Sequence, residues 1–444
     1  MKHRIFRSTV ALLLVLAMLF CSVPAQADYT PDFDIQSQTV LLMNLDTGKV
    51  MYEKNADAKV YPASLTKIMT AILALEKVKD LDNTKVTMKQ YIQDSLYGKN
   101  ASLGGILLGE EVSMRGLLYA ALLQSANEAA LMIADYLGDG SIGQFAEMMN
   151  EKAKEIGCTG TNFVNPNGLY DADHYTTARD MAKIAAYAMK IPEFVKIVNT
   201  VSMDIGPTNM HDHLVEVTTN KVITPGSQYY NAAVSGIKTG TLDESGRCFV
   251  STASKDGFTY LLVVMGAPLY NSDGTMMTEQ VNFTETNKIY NWVFSNFKVK
   301  TVVEKGRYIA DIPVRLSFEK DVVGLVSSGR LSALIPANVD VSSVQLVPDL
   351  PASVDAPIKK GQKIGSVKLV LAGEELGSVD LVANDTVQMS RVLYYYDKVM
   401  QALDTLWAKF AILFIGLLAV SYVVIMLVHN TRRQGVHRGG RRRL

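Results

Sequence analysis

The sequence predicts an α+β domain, followed by a small all-β domain and one membrane-spanning helix near the C-terminus. Three observations carry that prediction. Residues 28–297 have apolar runs of strand character at both ends and helical periodicity between them. Residues 298–390 change to short β-rich runs (314–318, 344–347, 363–371, 379–382) separated by turn-rich stretches such as 348–361. Residues 410–428 contain no charge at all. With 444 residues, 48% of them hydrophobic, the chain can bury a large core and more than one domain.

The elements follow in chain order. Lys2, His3, Arg4 and Arg7 precede an apolar run over 10–20, and Ala25 and Ala27 frame a cleavage site. This is the layout of a secretory signal peptide, residues 1–27. Residues 39–52 read as a β-hairpin turning at Asp46-Thr47-Gly48. Pro62 and Ala63 lead into a helix with Leu65, Ile68, Met69, Ile72 and Leu75 on its apolar positions. A second helical region starts after Ser113 and runs, with a break, to Tyr136, where Gly138 and Gly140 end it. Helices are expected over 145–156 and 177–189, strands over 233–239, 248–253 and 260–265, and a closing helix over 283–294. A helical stalk over 391–409 leads to the span at 410–428, preceded by Trp407. Arg432, Arg433, Arg438, Arg441, Arg442 and Arg443 follow, so the tail 429–444 is expected on the cytoplasmic side and the rest outside, with the helix set in membrane lipid.

Net charge is +0, but the leader and the tail are basic and hold no acidic residue, which leaves the part between them mildly acidic. That speaks against nucleic acid as a partner. Cys158 and Cys248 are the cysteines beyond the leader, too few for a disulfide scaffold or a metal site, and are read as unpaired core residues.

Ser64-Leu65-Thr66-Lys67 sets a hydroxyl and an amine three apart at a helix start, where one can reach the other. A serine needs a base to become a nucleophile, and a lysine of depressed pKa is one. The pattern alone decides little, because Ser235–Lys238, Ser295–Lys298 and Ser317–Lys320 repeat it. Its companions carry the weight: Ser125-Ala126-Asn127 and Lys238-Thr239-Gly240, the latter on an apolar strand. Each has a plainer reading, Ser125 with Glu128 as a capping box and Lys238-Thr239-Gly240 as a strand entering a turn.

In this order and on these elements, the three motifs resemble those of the penicillin-recognising serine enzymes. Tyr61-Pro62-Ala63-Ser64-Leu65-Thr66-Lys67, Asn165-Pro166-Asn167-Gly168-Leu169, His174-Tyr175-Thr176-Thr177-Ala178 and Gly236-Ile237-Lys238-Thr239-Gly240 are similar to the low-molecular-mass D-alanyl-D-alanine carboxypeptidases. The resemblance covers residues 28–297, and the β domain and anchor match the same branch. It implies a β-lactamase/transpeptidase-like domain, an antiparallel sheet with a helical subdomain. It implies Ser64 as nucleophile, Lys67 as base and Ser125 as proton relay within reach of Lys238. Asn127, Lys238, Thr239, Gly240 and Thr241 would hold the substrate, with an oxyanion hole from the N–H groups of Ser64 and Thr241. The substrate implied is a peptidoglycan stem peptide ending in D-Ala-D-Ala, with β-lactams as inhibitors and no metal or organic cofactor. Asn282 stands where many relatives carry a base for the substrate carboxylate, and the anchor is a span where relatives commonly have a surface-lying helix. His174 is expected to be structural. A β-lactamase of the glutamate-deacylating class is disfavoured, since Glu-x-x-Leu-Asn is missing between Asn127 and Lys238. An endopeptidase, a transpeptidase and a β-lactam sensor are the alternatives, the last disfavoured by so short a tail.

Overall fold

The computed structural model describes residues 30–438, with side chains described as far as His429. The signal-peptide reading of 1–27 and the side chains of the arginine-rich tail lie outside the described residues. The chain forms two compact units, one ending at Lys298 and the other beginning at Val299.

In the first unit, β1 (Thr39–Asn44) and β2 (Val50–Lys54) form the expected hairpin. Asn44 Oδ1 accepts the N–H groups of Asp46 and Thr47 at 3.1 and 2.9 Å, and Gly48 supplies the positive φ that closes the turn. A 3₁₀ turn, Ala63–Thr66, runs into α1 (Lys67–Lys77), whose residues 67–74 are all buried. That is why its sequence is apolar on every side. Next come β3 (Lys85–Thr87), α2 (Gln90–Leu96), β4 (Glu111–Ser113) and α3 (Met114–Tyr119). The break in the second helical region is a π turn, Ala120–Gln124, ahead of α4 (Asn127–Leu137). Ala126, not Ser125, is the N-cap of α4 and no side chain caps it, so the capping-box reading of Ser125 does not hold. The helices α5 (Ile142–Ile156), α6 (Ala178–Ala188) and α7 (Pro192–Val198) complete the helical part. Thr177 Oγ1 caps α6 by accepting Asp180 N–H at 3.0 Å.

After a small ribbon of β5 (Ser202–Asp204) and β6 (Val215–Val217), the chain enters β7 (Val234–Leu242), β8 (Gly246–Lys255) and β9 (Phe258–Ala267). The sheet order is β2-β1-β9-β8-β7, antiparallel throughout. Most of β8 and β9 is buried, which explains their continuous apolar runs. The closing helix, α8 (Val281–Asn296), lies against the sheet. Tyr290 Oη donates to Ser251 O at 2.9 Å, and Phe283 meets Phe249 edge-on at 5.1 Å.

The second unit holds β10 (Phe297–Val303), β11 (Tyr308–Arg315), β12 (Val322–Ser327), β13 (Leu331–Pro336), β14 (Gln345–Asp349), β15 (Val354–Asp355), β16 (Lys363–Leu371) and β17 (Glu374–Ala383). Six of them form a sheet of order β14-β16-β17-β12-β11-β15, and β10 pairs with β13. The strand expected over 314–318 ends instead at Arg315, because Leu316 turns to φ 63. The stalk is α9 (Arg391–Leu403), and α10 (Leu406–Arg438) follows. The break falls earlier than the expected border at 409, since Thr405 Oγ1 caps the new helix by accepting Ala408 N–H at 3.3 Å. Leu406–His429 is long and apolar enough to cross a membrane, with none of its most apolar window buried.

Phe249 of β8 is fully buried against Phe283 of α8. Phe249→Ala should cost about 3–5 kcal/mol, read as a lower midpoint in denaturant-induced unfolding.

Candidate active site

The first motif is shaped by what presses on it. Ala63 has φ 47, an uncommon value for a residue with a side chain. Residues 165–168 hold it there. A Cβ placed on Gly168 (φ +81) would stand 1.9 Å from Ala63 O and 2.8 Å from Thr66 Oγ1, so glycine is required. Asn165 Oδ1 accepts Gly168 N–H at 2.7 Å, and Pro166 O accepts Thr70 Oγ1–H at 2.6 Å. The 165–169 motif is thus a carbonyl platform under the start of α1.

Lys67 is fully buried on that platform. Its Nζ lies 2.9 Å from Ser64 Oγ, 3.0 Å from Asn127 Oδ1 and 2.7 Å from Asn167 O. Asn127 Nδ2 donates to Ser102 O at 2.9 Å, which turns Oδ1 towards the lysine. Burial lowers the Lys67 pKa well below the ordinary lysine range, and the Lys238 cation lowers it further; the Glu128 carboxylate acts in the opposite sense. A neutral Lys67 donates to Asn127 Oδ1 and Asn167 O, and its lone pair is left for the Ser64 hydroxyl.

Ser125 sits between the π turn and α4 in the left-handed region, φ 65, a place where helix irregularities commonly present functional groups. Lys238 is buried on β7, with Nζ donating to Thr239 O at 3.0 Å, and burial pushes its pKa down to about 7. Gly240 faces the Ser64 turn directly: a Cβ there would meet Ala63 Cβ and Ser64 N at 3.1 Å. Thr239 Oγ1 lies 2.5 Å from Thr219 Oγ1, and Thr219 in turn donates N–H to Leu123 O at 3.1 Å. Thr219 therefore ties the third motif to the turn that carries the second. Thr241 is exposed and stands opposite Arg247 of β8. The Arg247 guanidinium is held by the carbonyls of Pro268, Met277 and Glu279.

Ser64, Lys67, Asn127 and Gly240 lie together in the structure. Asn282 is buried in α8 with Oδ1 lacking a partner. His174 is buried and touches Thr66, not Ser64. Its Nδ1 accepts Val164 N–H at 3.1 Å, so Nε2 carries the hydrogen and donates to Thr66 Oγ1 at 2.8 Å, which donates to Ala63 O at 2.8 Å. Burial lowers the His174 pKa from 6.5 to about 4. Cys158 and Cys248 are both buried and unbridged. Sequence reasoning missed Thr219, Arg247 and the carbonyls of Ser102 and Asn167, since a backbone acceptor leaves no trace in residue type.

Two outcomes test this arrangement. Gly168→Ala should destabilise the fold by about 2 kcal/mol or more, read as a lower midpoint in denaturant-induced unfolding. His174 is neutral in the folded state and takes up its proton first when unfolded. The stability it contributes is therefore complete above pH 6.5 and is lost as pH falls towards 4, on the order of 3 kcal/mol. Melting temperature should fall over that window more steeply in the parent than in His174→Gln.

A family model described as D-alanyl-D-alanine carboxypeptidase matches residues 24–269, and one described as penicillin-binding protein 5, C-terminal domain, matches 297–389. The chain is 29% identical to D-alanyl-D-alanine carboxypeptidase DacF of Bacillus subtilis, over 86% of this chain and 92% of that protein. It is 31% identical to DacA of Haemophilus influenzae, over 79% and 85%. The crystal structure of penicillin binding protein 5 from Haemophilus influenzae superposes with a TM-score of 0.60 at 28% identity, covering 81% of this chain and 99% of that one.

Proposed function

Because the chain belongs to the D-alanyl-D-alanine carboxypeptidase family, we propose that it is a serine carboxypeptidase removing the terminal D-alanine from peptidoglycan stem peptides. Penicillin acylates the same serine, Ser64. The observation that carries this reading is the buried Lys67 amine, 2.9 Å from Ser64 Oγ, with two other acceptors already around it.

Ser64 Oγ attacks the carbonyl carbon of the penultimate D-alanine while its proton passes to Lys67 Nζ. Charge gathers on the carbonyl oxygen, for which the N–H groups of Ser64 and Thr241 are the donors. The close packing of Gly240 on Ser64 N supports that pairing. The proton then passes through the Ser125 hydroxyl to the departing amine, the C–N bond breaks and an ester remains. Water gives a proton to Lys67 as it attacks the ester carbon, the C–Oγ bond breaks, and Lys67 returns the proton to Ser64 Oγ. Asn127 Nδ2 keeps one hydrogen beyond its bond to Ser102 O for a substrate carbonyl. Thr239, Gly240 and Thr241 line the strand edge on which the peptide lies. Asn282 is buried, so the positive potential for the terminal carboxylate comes from Lys238 and Arg247. In this reading α10 is the anchor, with the catalytic unit outside and the arginines inside.

The full chain in detergent should release D-alanine from a D-Ala-D-Ala pentapeptide and form a penicilloyl adduct on Ser64. The absence of both would remove the reading. Lys67→Ala should lower acylation about a thousandfold or more without changing the far-ultraviolet circular dichroism. The pH dependence has two limbs. The rate rises as Lys67 loses its proton and falls as Lys238, near 7, loses its own; the two lysines are close enough to titrate as a pair. The falling limb of kcat/KM should therefore weaken when the terminal carboxylate is replaced by an amide.

A further inference from the structure

Two buried carboxyl groups that the acyl-transfer steps do not use lie against Gly104, in the segment whose Ser102 carbonyl holds Asn127. Glu128 on α4 is 2% exposed and Glu216 on β6 is 1% exposed. Glu128 Oε1 accepts Gly104 N–H at 2.6 Å. Glu128 Oε2 and both oxygens of Glu216 have no partner. Both groups converge on one glycine, since a Cβ at Gly104 would stand 2.7 Å from Glu216 Oε1. Two carboxylates cannot hydrogen-bond to each other, and two unpaired anions in so dry a place are strongly unfavourable. A carboxylic acid beside a carboxylate relieves both problems.

We infer that Glu128 and Glu216 share one proton, carried by Glu216, so that Glu128 alone is the anion near Lys67 and Glu216 is a positioning residue for acyl transfer. This rests on the roles given above to Lys67 and Asn127. The route is short. The Glu128 carboxylate holds Gly104 N–H and with it residues 102–106. Ser102 O in that segment accepts both Asn127 N–H and Nδ2–H, at 3.0 and 2.9 Å, and Asn127 Oδ1 meets Lys67. Glu128 is the charged group that acts on Glu216, and Glu128 in turn acts on Lys67 of α1, which Lys238 of β7 opposes. Burial raises Glu216 to about 7, with the Glu128 carboxylate adding to it. Glu128 is also raised by burial, against the N–H groups of residues 104–106. Loss of the shared proton puts a second negative charge behind Lys67, which raises the lysine pKa and withdraws the base.

The sign of the stability effect follows. Glu216 holds its proton longer in the folded state, so its contribution is complete below pH 4.5 and is lost as pH rises through about 7. The test uses the full chain with Glu216→Gln, which keeps shape and a donor but does not titrate, and Glu216→Ala, which supplies no donor. The melting temperature of the parent minus that of Glu216→Gln should fall as pH rises from about 4.5 to 7, and the rising limb of penicillin acylation should move about half a unit or more to lower pH in the variant. Glu216→Ala should acylate about tenfold or more slowly, with the glutamine variant restoring the rate. Parallel pH profiles in parent and Glu216→Gln, for both melting and acylation, would overturn the inference. So would a rise in parent melting temperature with magnesium or calcium that Glu216→Gln abolishes, because the pair would then be a cation site. The melting arm needs no acylation, so a failure of the Ser64 chemistry would appear separately, as a missing adduct at every pH.

Discussion

An amine removed from water needs acceptors around it if it is to stay ordered, and it keeps its proton poorly. Both consequences are visible at Lys67. The platform of 165–169 supplies the Asn167 carbonyl, the amide of Asn127 is turned by Ser102, and the remaining direction is occupied by Ser64 Oγ. Much of the catalytic unit can be read as what is needed to bury this one group. The helix that carries it is apolar all round, and the turn before it is bent into a conformation its residues do not favour.

That bend is held from outside, by contacts that never touch the reacting atoms. His174 reaches Ala63 O through Thr66, Gly168 packs onto the same carbonyl, and Gly240 closes on the turn from the sheet. Gly168 is a glycine because the Ala63 carbonyl oxygen stands where a side chain would go, and Gly240 packs closely on the same turn. The position of Ser64 is thus supported by residues that make no contact with its hydroxyl.

Much of this was legible in residue order and part of it was not. The hairpin at 39–52, the helix under Ser64 and the strand under Lys238 follow from periodicity, since each is long, regular and apolar on the face it buries. The short helix Gln90–Leu96 and the ribbons β3–β4 and β5–β6 escaped, because three-residue strands carry no period to read. The break at Ala120–Gln124 was expected as a break, but its π geometry is set by tertiary packing. Within the site, Ser64, Lys67, Ser125 and Lys238 stood out by motif. Glu216 did not, because a single glutamate on a short strand looks like solvent-facing charge until its burial is known. Arg247 escaped for a related reason: only the register of β7 on β8 sets it opposite Thr241.

The hydroxyl link from Thr239 to Thr219, and from there to Leu123, has a thermodynamic corollary. It joins the strand of Lys238-Thr239-Gly240 to the segment that presents Ser125, so the walls of a cleft formed there are held in place. Little ordering entropy then has to come from the protein, and the loss on association falls on the ligand. A stiff bicyclic ring loses little freedom on entering such a cleft, whereas a flexible stem peptide loses much. Preorganisation of this kind favours a rigid mimic over the flexible chain it imitates.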